Sequence, residues 1–352
     1  MLSLSFQNPN KTIKPFEVYV PEKVDYHYTK TQKNNIINNK NPQKTPSDNA
    51  SNDSHSTKAN SFFEEGDSPT LKTSLNTPIA SLPKFKSLDP SLLNSVYKQI
   101  IKEESINSKL HPKLVINFSK QNINEIHRAI LIDWLVNVHL YMGLSDECLF
   151  LTVKIVDTFI SKVQCFHKSK LQLLGIVALL LSSKFIESFH PYMDDLCALC
   201  ENAYTEKEIL QFEKHVLQTL DYTLEQDSIV NFYDMLSLIF KFNLNEYYLG
   251  KYLLELSLLD TSFYKYGRTL IAFSVVYLVM KMNLERHPNY KKCFCYLKDR
   301  DSTEPQMKLC GKQILNLMEK TKEINQYTSS LQKYKHKIKE NTSVEEDVEM
   351  IL

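Results

Sequence analysis

Glycine is scarce in this sequence. The 352 residues include only six glycines, and no two of them lie closer than 17 positions apart. A loop that wraps a phosphate needs several glycines within a few residues, because side chains would hold the backbone away from the ligand. The sequence therefore lacks a P-loop, a dinucleotide-binding fingerprint and a kinase-type Gly-rich loop.

An excess of charge of one sign is also missing, since 42 basic residues balance 41 acidic ones and leave a net charge of +1. This balance argues against sequence-independent binding to nucleic acid or to anionic lipid. The longest apolar runs, 173–181 and 275–280, are far shorter than the roughly 18 residues that span a bilayer. Residues 1–10 have no basic end followed by an apolar core, so they do not read as a secretory signal. We expect neither a nucleic-acid partner nor a membrane partner, and we interpret the seven cysteines as reduced thiols.

No grouping of residues in the sequence is typical of a catalytic or metal site. Cys197 and Cys200 form a single Cys-x-x-Cys, whereas a structural zinc site requires four ligands. We interpret them as small core residues, and Asp194 and Asp195 as charges in the first turn of a helix. The ten histidines include no i, i+4 pair. The sequence therefore predicts no catalytic residue, no metal and no cofactor.

The first 85 residues are polar and contain few side chains that could be buried. Such a composition cannot offset the entropy cost of ordering the chain, so residues 1–85 are predicted to be a disordered tail. Three residues in it precede proline, namely Thr45, Ser68 and Thr77. They are either ordinary turn formers or acceptor sites for a proline-directed kinase.

One amphipathic helix is predicted ahead of the main body, within residues 86–111. Asp89 is suited to the N-cap position and Pro90 to the first helical position. Apolar residues then recur at helical spacing: Leu92, Leu93, Val96, Tyr97, Ile100 and Ile101.

From residue 112 to 330 the apolar residues recur every three or four positions, which predicts an all-α fold. Ser145 is a candidate N-cap, Thr205 and Glu208 a candidate capping box, and Gly143 a candidate helix end. We predict ten helices: 122–142, 145–162, 168–187, 191–201, 205–220, 226–240, 245–261, 267–283, 287–297 and 303–323.

The two halves of this region resemble each other. In each half a helix ends near an Asp-Thr pair, at 157–158 and at 260–261, and a helix that is apolar on nearly every side follows. Such a helix belongs at the centre of a bundle. The repeat predicts two tandem five-helix domains, 112–224 and 225–330, each built around its third helix, followed by a C-terminal tail, 331–352.

Four charged residues lie within apolar helices: Arg128, Asp157, Lys184 and Glu213. Charges among such neighbours are costly to dehydrate unless they are paired. We expect Arg128 and Asp157 to form an internal ion pair. Lys184 and Glu213 could form a second internal pair, but we favour a half-exposed pair at an interface.

The segment His127-Arg-Ala-Ile-Leu-Ile-Asp-Trp-Leu resembles the Met-Arg-Ala-Ile-Leu-x-Asp-Trp-Leu segment that opens the cyclin box of A- and B-type mitotic cyclins. Further similar segments follow in order across roughly 112–285. They begin at Leu149 (Leu-Phe-Leu-Thr-Val), Val156 (Val-Asp-Thr-Phe), Lys170 (Lys-Leu-Gln-Leu-Leu-Gly), Ser182 (Ser-Ser-Lys-Phe), Asn202 (Asn-Ala-Tyr-Thr) and Tyr252 (Tyr-Leu-Leu-Glu-Leu). The similarity is greatest to B-type cyclins.

The resemblance implies two cyclin-box domains and a regulatory subunit that has no catalysis of its own. Such a subunit docks on a cyclin-dependent kinase, activates it and directs it to substrates, here at the G2/M transition. Arg128 and Asp157 match the family's internal ion pair, and Lys184 and Glu213 match its kinase-contacting charges. The apolar kinase contacts would be Leu181, Phe185 and Leu217.

The resemblance also implies a groove that binds short Arg-x-Leu motifs of substrates and inhibitors. Its residues here would be Ile130, Leu131, Trp134 and Gln172, although the same apolar stripe could instead face the core. His127 stands in place of the usual Met. Asn137 stands where many A-type cyclins have a Glu that attracts the basic residue of the motif, so we expect a weaker preference for basic motifs.

Two other readings of the cyclin-like repeats stay open. One is a transcriptional cyclin that partners an RNA-polymerase-directed kinase, and the other is a cyclin-fold general transcription factor. The near-neutral charge and a first 140 residues without cysteine disfavour the transcription factor. The disordered tail, 1–85, has neither an Arg-x-x-Leu destruction box nor a Lys-Glu-Asn motif. We expect the protein in both nucleus and cytoplasm.

Overall fold

A computed structural model describes residues 114–224, 229–288, 290–291, 303–324 and 326–339, together with four residues between 95 and 102. The predicted tail 1–85, with Thr45, Ser68 and Thr77, lies outside the described residues. Most of the predicted helix 86–111 lies outside them too. Within it, four exposed residues are helical: Ser95, Lys98, Gln99 and Lys102.

The described residues form ten α-helices and no β-strand, which confirms the all-α prediction. The helices are α1 (Glu125–Tyr141), α2 (Asp146–Lys162), α3 (Leu171–Ile186), α4 (Met193–Leu199), α5 (Glu206–Thr219), α6 (Ile229–Ile239), α7 (Leu244–Leu256), α8 (Arg268–Met282), α9 (Thr303–Ile324) and α10 (Ser329–Lys339). Most of the predicted helix 287–297 lies outside the described residues.

Local sequence signals set several of these helix ends. The Ser145 side chain accepts a hydrogen bond from the Cys148 N–H and caps α2. Thr205 and Glu208 form a reciprocal capping box at the start of α5. Gly143 adopts a φ of +63°, a left-handed conformation that costs glycine little and ends α1. These three predictions are confirmed.

The first domain is built around α3. Twelve residues of α3 are buried, on all sides of the helix, because α1, α2 and α5 pack around it. Residues 168–186 are long and apolar enough to span a bilayer by composition, but two thirds of that stretch is buried inside the protein. This burial is typical of the central helix of a bundle.

The second domain is built around α8. Every residue from Thr269 to Met280 is buried, because α6, α7 and α9 surround the helix. The two helices that the sequence repeat placed at the domain centres, α3 and α8, do occupy those positions. Tandem helical domains that share one pattern are therefore present in the described residues.

Helix α10 differs from the sequence interpretation, which placed a C-terminal tail at 331–352. Lys333 of this helix is buried, and its Nζ lies 2.8 Å from Asp146 Oδ1 and 2.6 Å from Glu255 Oε2. Asp146 begins α2 in the first domain and Glu255 belongs to α7 in the second. Helix α10 is thus packed between the two domains, and the boundary at 330 separates its first two residues from the rest.

Candidate protein-binding surface

Arg128 and Asp157 form a buried bidentate ion pair between α1 and α2. Arg128 Nε lies 2.6 Å from Asp157 Oδ1, and the second guanidinium nitrogen lies 2.6 Å from Oδ2. Burial alone would lower the pKa of Arg128, but the adjacent Asp157 carboxylate and Tyr264 raise it above its ordinary value. Both side chains are almost completely removed from solvent, so each charge depends on the other.

The same ion pair also joins the two domains. The remaining guanidinium nitrogen of Arg128 donates to the carbonyl oxygens of Leu258 and Leu259, at 2.9 and 3.2 Å. The Tyr264 hydroxyl donates to the Asp157 carboxylate. All three residues belong to the segment between α7 and α8. The sequence alone did not indicate this role of Leu258, Leu259 and Tyr264, because nothing in their local pattern points to a partner 107 to 131 positions away.

Lys184 and Glu213 form a second ion pair, which lies at the surface. Lys184 Nζ on α3 is 2.6 Å from Glu213 Oε1 on α5, and the two side chains are 36% and 12% exposed. Of the two arrangements that the sequence left open, the structure has the half-exposed pair. The charges are reachable from outside the bundle.

Apolar side chains surround this pair on both helices. Leu181 and Phe185 lie one turn or less from Lys184 on α3, and Leu217 lies one turn from Glu213 on α5. Phe185 is 49% exposed and Leu217 is half-buried. Leu181 is only 4% exposed, because it packs into the core beneath Lys184, so it supports the surface rather than offering contact area. This corrects the prediction of a direct apolar contact at Leu181.

Three further apolar residues are exposed on α5 and in the segment that follows α3: Leu210 on α5, and Phe189 and Tyr192 in the segment between α3 and α4. Single exposed apolar residues are ordinary, but a group on adjoining elements is typical of a protein-binding site. Leu210 lies three positions before Glu213, so the two side chains are on the same face of α5. This spacing is visible in the sequence. We call Lys184, Phe185, Phe189, Tyr192, Leu210, Glu213 and Leu217 the charged-pair surface.

The second candidate surface, the stripe on α1, is mostly buried. Leu131 is 1% exposed and Trp134 is 4% exposed, whereas Ile130 and Gln172 are partly exposed. Leu131 packs so closely against α3 that a Cβ placed on Gly175 would lie 2.8 Å from Leu131 Cδ1. The core-facing alternative therefore holds for Leu131 and Trp134, because the close approach of α1 and α3 removes them from the surface.

The two substituted positions on α1 have structural partners. His127 Nδ1 accepts a hydrogen bond from the Asn124 N–H, and the Asn124 side chain accepts one from the His127 N–H, so His127 completes a capping box. Asn137 Nδ2 donates to Ser329 Oγ at 2.6 Å. Asn137 is therefore engaged by the start of α10.

Cys197 lies in α4 and Cys200 at its C-terminal end. Burial raises the pKa of Cys200 to about 12, and Cys197 is half-buried beside it. No set of three or more His, Cys, Asp or Glu residues in the described part of the chain is placed to hold a metal ion.

Comparison with known proteins agrees with this fold. The profile of the cyclin N-terminal domain matches residues 95–225, and that of the cyclin C-terminal domain matches residues 228–347. The chain belongs to the cyclin family. Cyclins are regulatory subunits of kinases and not catalysts. The first matched stretch contains α1 to α5, and the second contains α6 to α10.

Its relatives include B-type cyclins. The G2/mitotic-specific cyclin-B of Emericella nidulans is 36% identical over 161 residues, which are 46% of this chain and 33% of that protein. The G2/mitotic-specific cyclin-B2 of Macaca fascicularis is 29% identical over 278 residues, which are 78% of this chain and 64% of that protein. This cyclin therefore aligns with less than two thirds of the length of either relative.

A solved structure shares the fold. The viral cyclin from herpesvirus saimiri superimposes with a TM-score of 0.55 at 19% identity, over 65% of this chain and 98% of the viral one. At this identity the likeness concerns the arrangement of helices alone.

Proposed function

We propose that this cyclin is the activating and targeting subunit of a cyclin-dependent kinase that acts at the G2/M transition. One observation carries the proposal: a Lys184–Glu213 ion pair, reachable from solvent, lies among exposed apolar side chains. Membership of the cyclin family and similarity to G2/mitotic-specific cyclins support it.

The charged-pair surface suits a partner that must be held in one orientation. Apolar side chains such as Phe185 supply contact energy. One charge of each sign at the centre fixes the orientation in which the partner binds. Ion pairs at a protein surface contribute at most about 1 kcal/mol. Breaking the Lys184–Glu213 pair therefore costs little free energy. Each of the two charges can then pair with an opposite charge on the partner.

Activation then requires differential binding. A kinase is active only when its C helix occupies the position that forms the catalytic Lys–Glu pair. To move a kinase from about 1% to about 99% active, a subunit must bind the active state more tightly by roughly 5.5 kcal/mol. Such a difference calls for a large interface with buried anchors, and Phe185, Phe189 and Tyr192 are suitable anchors.

The experiment is to purify this cyclin from its own cells, identify the kinase that co-elutes, and assay that kinase with and without the added chain. We expect phosphorylation by the recombinant catalytic subunit to rise by about 100-fold on addition of the cyclin. Heat-denatured cyclin serves as the control. An RNA-polymerase-directed kinase in the eluate would favour a transcriptional cyclin, and a rate that does not change would contradict the proposal.

We also propose that short motifs of the Arg-x-Leu type dock beside Ile130 and Gln172, the two residues of the α1 stripe that remain partly exposed. Because Asn137 is neutral and held by Ser329, the leucine of the motif should matter more than its basic residue. We expect Ile130→Asp to raise the KM of the kinase complex for a motif-bearing substrate about fivefold. A substrate without the motif is the control, and an equal rise in its KM would refute docking here.

We propose a distribution between nucleus and cytoplasm, as expected for a subunit that follows its kinase to substrates. Imaging a fluorescent fusion of the full chain through the cell cycle tests it. Confinement to any other compartment at every stage would contradict it.

A further inference from the structure

Glu187 fastens the end of α3 to the start of α2. It follows the last residue of α3, and its Oε1 accepts a hydrogen bond from the Ser145 N–H at 2.8 Å. The two residues are 42 positions apart in the sequence and both are half-buried. A carboxylate acceptor and partial exclusion of water both strengthen such a hydrogen bond.

Ser145 is a rigid point of attachment. Its side chain caps α2, and its carbonyl oxygen accepts a hydrogen bond from His139 Nε2 of α1 at 2.9 Å. The ends of α1, α2 and α3 therefore meet at one residue. Burial raises the pKa of Cys148 to about 11, and the Glu187 charge contributes to the rise, so the carboxylate lies close to the first turn of α2. A negative charge is favourable at that end of a helix.

Glu187 is also the first residue of a non-helical segment, 187–192, that joins α3 to α4. Two exposed residues of the charged-pair surface lie in this segment, Phe189 and Tyr192. A side chain on a mobile backbone must be ordered when a partner binds, and this ordering weakens binding. The conformation of the segment before binding therefore affects the affinity of the surface.

The two halves of the segment are held in different ways. Pro191 fixes its own φ and favours an extended conformation at His190, so the second half is restricted by its covalent structure. The first half contains no proline. Among the residues that the structure describes, no hydrogen bond other than the one between Ser145 and Glu187 joins 187–192 to α1 or α2. This bond therefore sets the direction in which the chain leaves α3.

We propose that Glu187 is a positioning residue of the charged-pair surface. By accepting the Ser145 N–H, it holds the backbone that carries Phe189 and Tyr192 in the binding conformation before the kinase arrives. The proposal rests on the proposed function and adds to it the group that preorganises the surface. Without this hydrogen bond only a fraction of the molecules is competent to bind, which lowers the association rate and leaves the dissociation rate nearly unchanged.

Limited digestion of the full-length cyclin by chymotrypsin tests the conformational part without any kinase. Glu187→Ala and Ser145→Pro should each raise the rate of cleavage after Phe189 about fivefold, measured by mass spectrometry, because a released segment enters the protease more readily. Proline suits position 145, where φ is −72°, but it has no N–H to donate.

Ser145→Ala is the matched control, because it loses the side-chain cap of α2 as Ser145→Pro does but retains the N–H. It should be cleaved after Phe189 at the wild-type rate. Wild-type cleavage in Glu187→Ala would overturn the proposal, and this variant decides the matter even if Ser145→Pro does not fold.

Surface plasmon resonance with the catalytic subunit that co-elutes with this cyclin tests the effect on binding. Glu187→Ala and Ser145→Pro should each lower the association rate about fivefold, and the double variant should be no slower than either single one. Glu187→Gln retains an acceptor oxygen and should lower the rate at most about twofold. If Glu187 touched the kinase directly, Ser145→Pro would associate at the wild-type rate, and that result would overturn the proposal.

Lys184→Ala in the same series separates this proposal from the proposed function. If Lys184→Ala weakens binding but Glu187→Ala does not, the surface binds the kinase and Glu187 does not position it. Wild-type affinity of Lys184→Ala would instead count against the proposed function and would overturn the kinase part of this proposal with it. The cleavage rates would then still decide whether Glu187 holds the segment.

Discussion

Lys184→Ala and Glu213→Ala are each expected to weaken binding to the partner kinase by on the order of 2 kcal/mol, about thirtyfold in Kd. Both side chains stand at the centre of an apolar surface, where water is excluded once a partner covers it. A kinase group that loses its opposite charge there is left buried and unpaired, which is more costly than losing an exposed contact. Isothermal titration calorimetry with the purified kinase measures the change.

Folding of these variants should be nearly unchanged, since a surface ion pair contributes only about 0–1 kcal/mol to stability. Lys308→Ala provides a matched control, because Lys308 and Glu304 also form an exposed pair with a 2.6 Å separation, but in the second domain on α9. The control should bind the kinase as tightly as the wild-type chain does. Wild-type affinity in both Lys184→Ala and Glu213→Ala, with unfolding curves that superimpose, would remove the central support for the proposed function.

Arg128→Met is expected to lower the free energy of unfolding by about 3–5 kcal/mol, the largest effect on stability that we predict. The substitution leaves Asp157 as an uncompensated charge at a fully buried position. It also leaves the carbonyl oxygens of Leu258 and Leu259 without the guanidinium donor that connects the domains. Urea denaturation followed by circular dichroism measures the loss.

The double variant Arg128→Met, Asp157→Leu distinguishes an unpaired charge from a simple loss of packing. Replacing both charges by apolar groups removes the buried carboxylate, so the double variant should be more stable than Arg128→Met alone. It will not recover fully, because Tyr264 loses its hydrogen-bond acceptor. A double variant whose free energy of unfolding is lower than that of Arg128→Met would show that the unpaired Asp157 charge is not what destabilises the single variant.

The residues differ in how far the sequence could predict their positions. Charges at Arg128, Asp157, Lys184 and Glu213 stood out because they interrupt apolar helices, and their burial or pairing follows from the cost of dehydration. Leu131 and Trp134 could not be placed in the same way. An apolar stripe on a helix looks the same whether it lines an open groove or packs against a neighbouring helix, and here α3 approaches closely at Gly175.

The packing of helix α10 could not be predicted from the sequence either. Leu331, Tyr334 and Ile338 have helical spacing, but the lysines between them favoured the interpretation of this segment as a tail. The burial of Lys333 follows from the positions of Asp146 and Glu255, which lie 187 and 78 residues away along the chain. No local pattern contains that information.

Helix type, helix ends, the repeat and the central helices follow from local spacing, because periodicity and capping act over a few residues. The depth of each side chain and the union of the domains through Arg128 and Lys333 do not. They depend on how helices distant in sequence approach one another, and that approach is decided by the packing of the whole bundle.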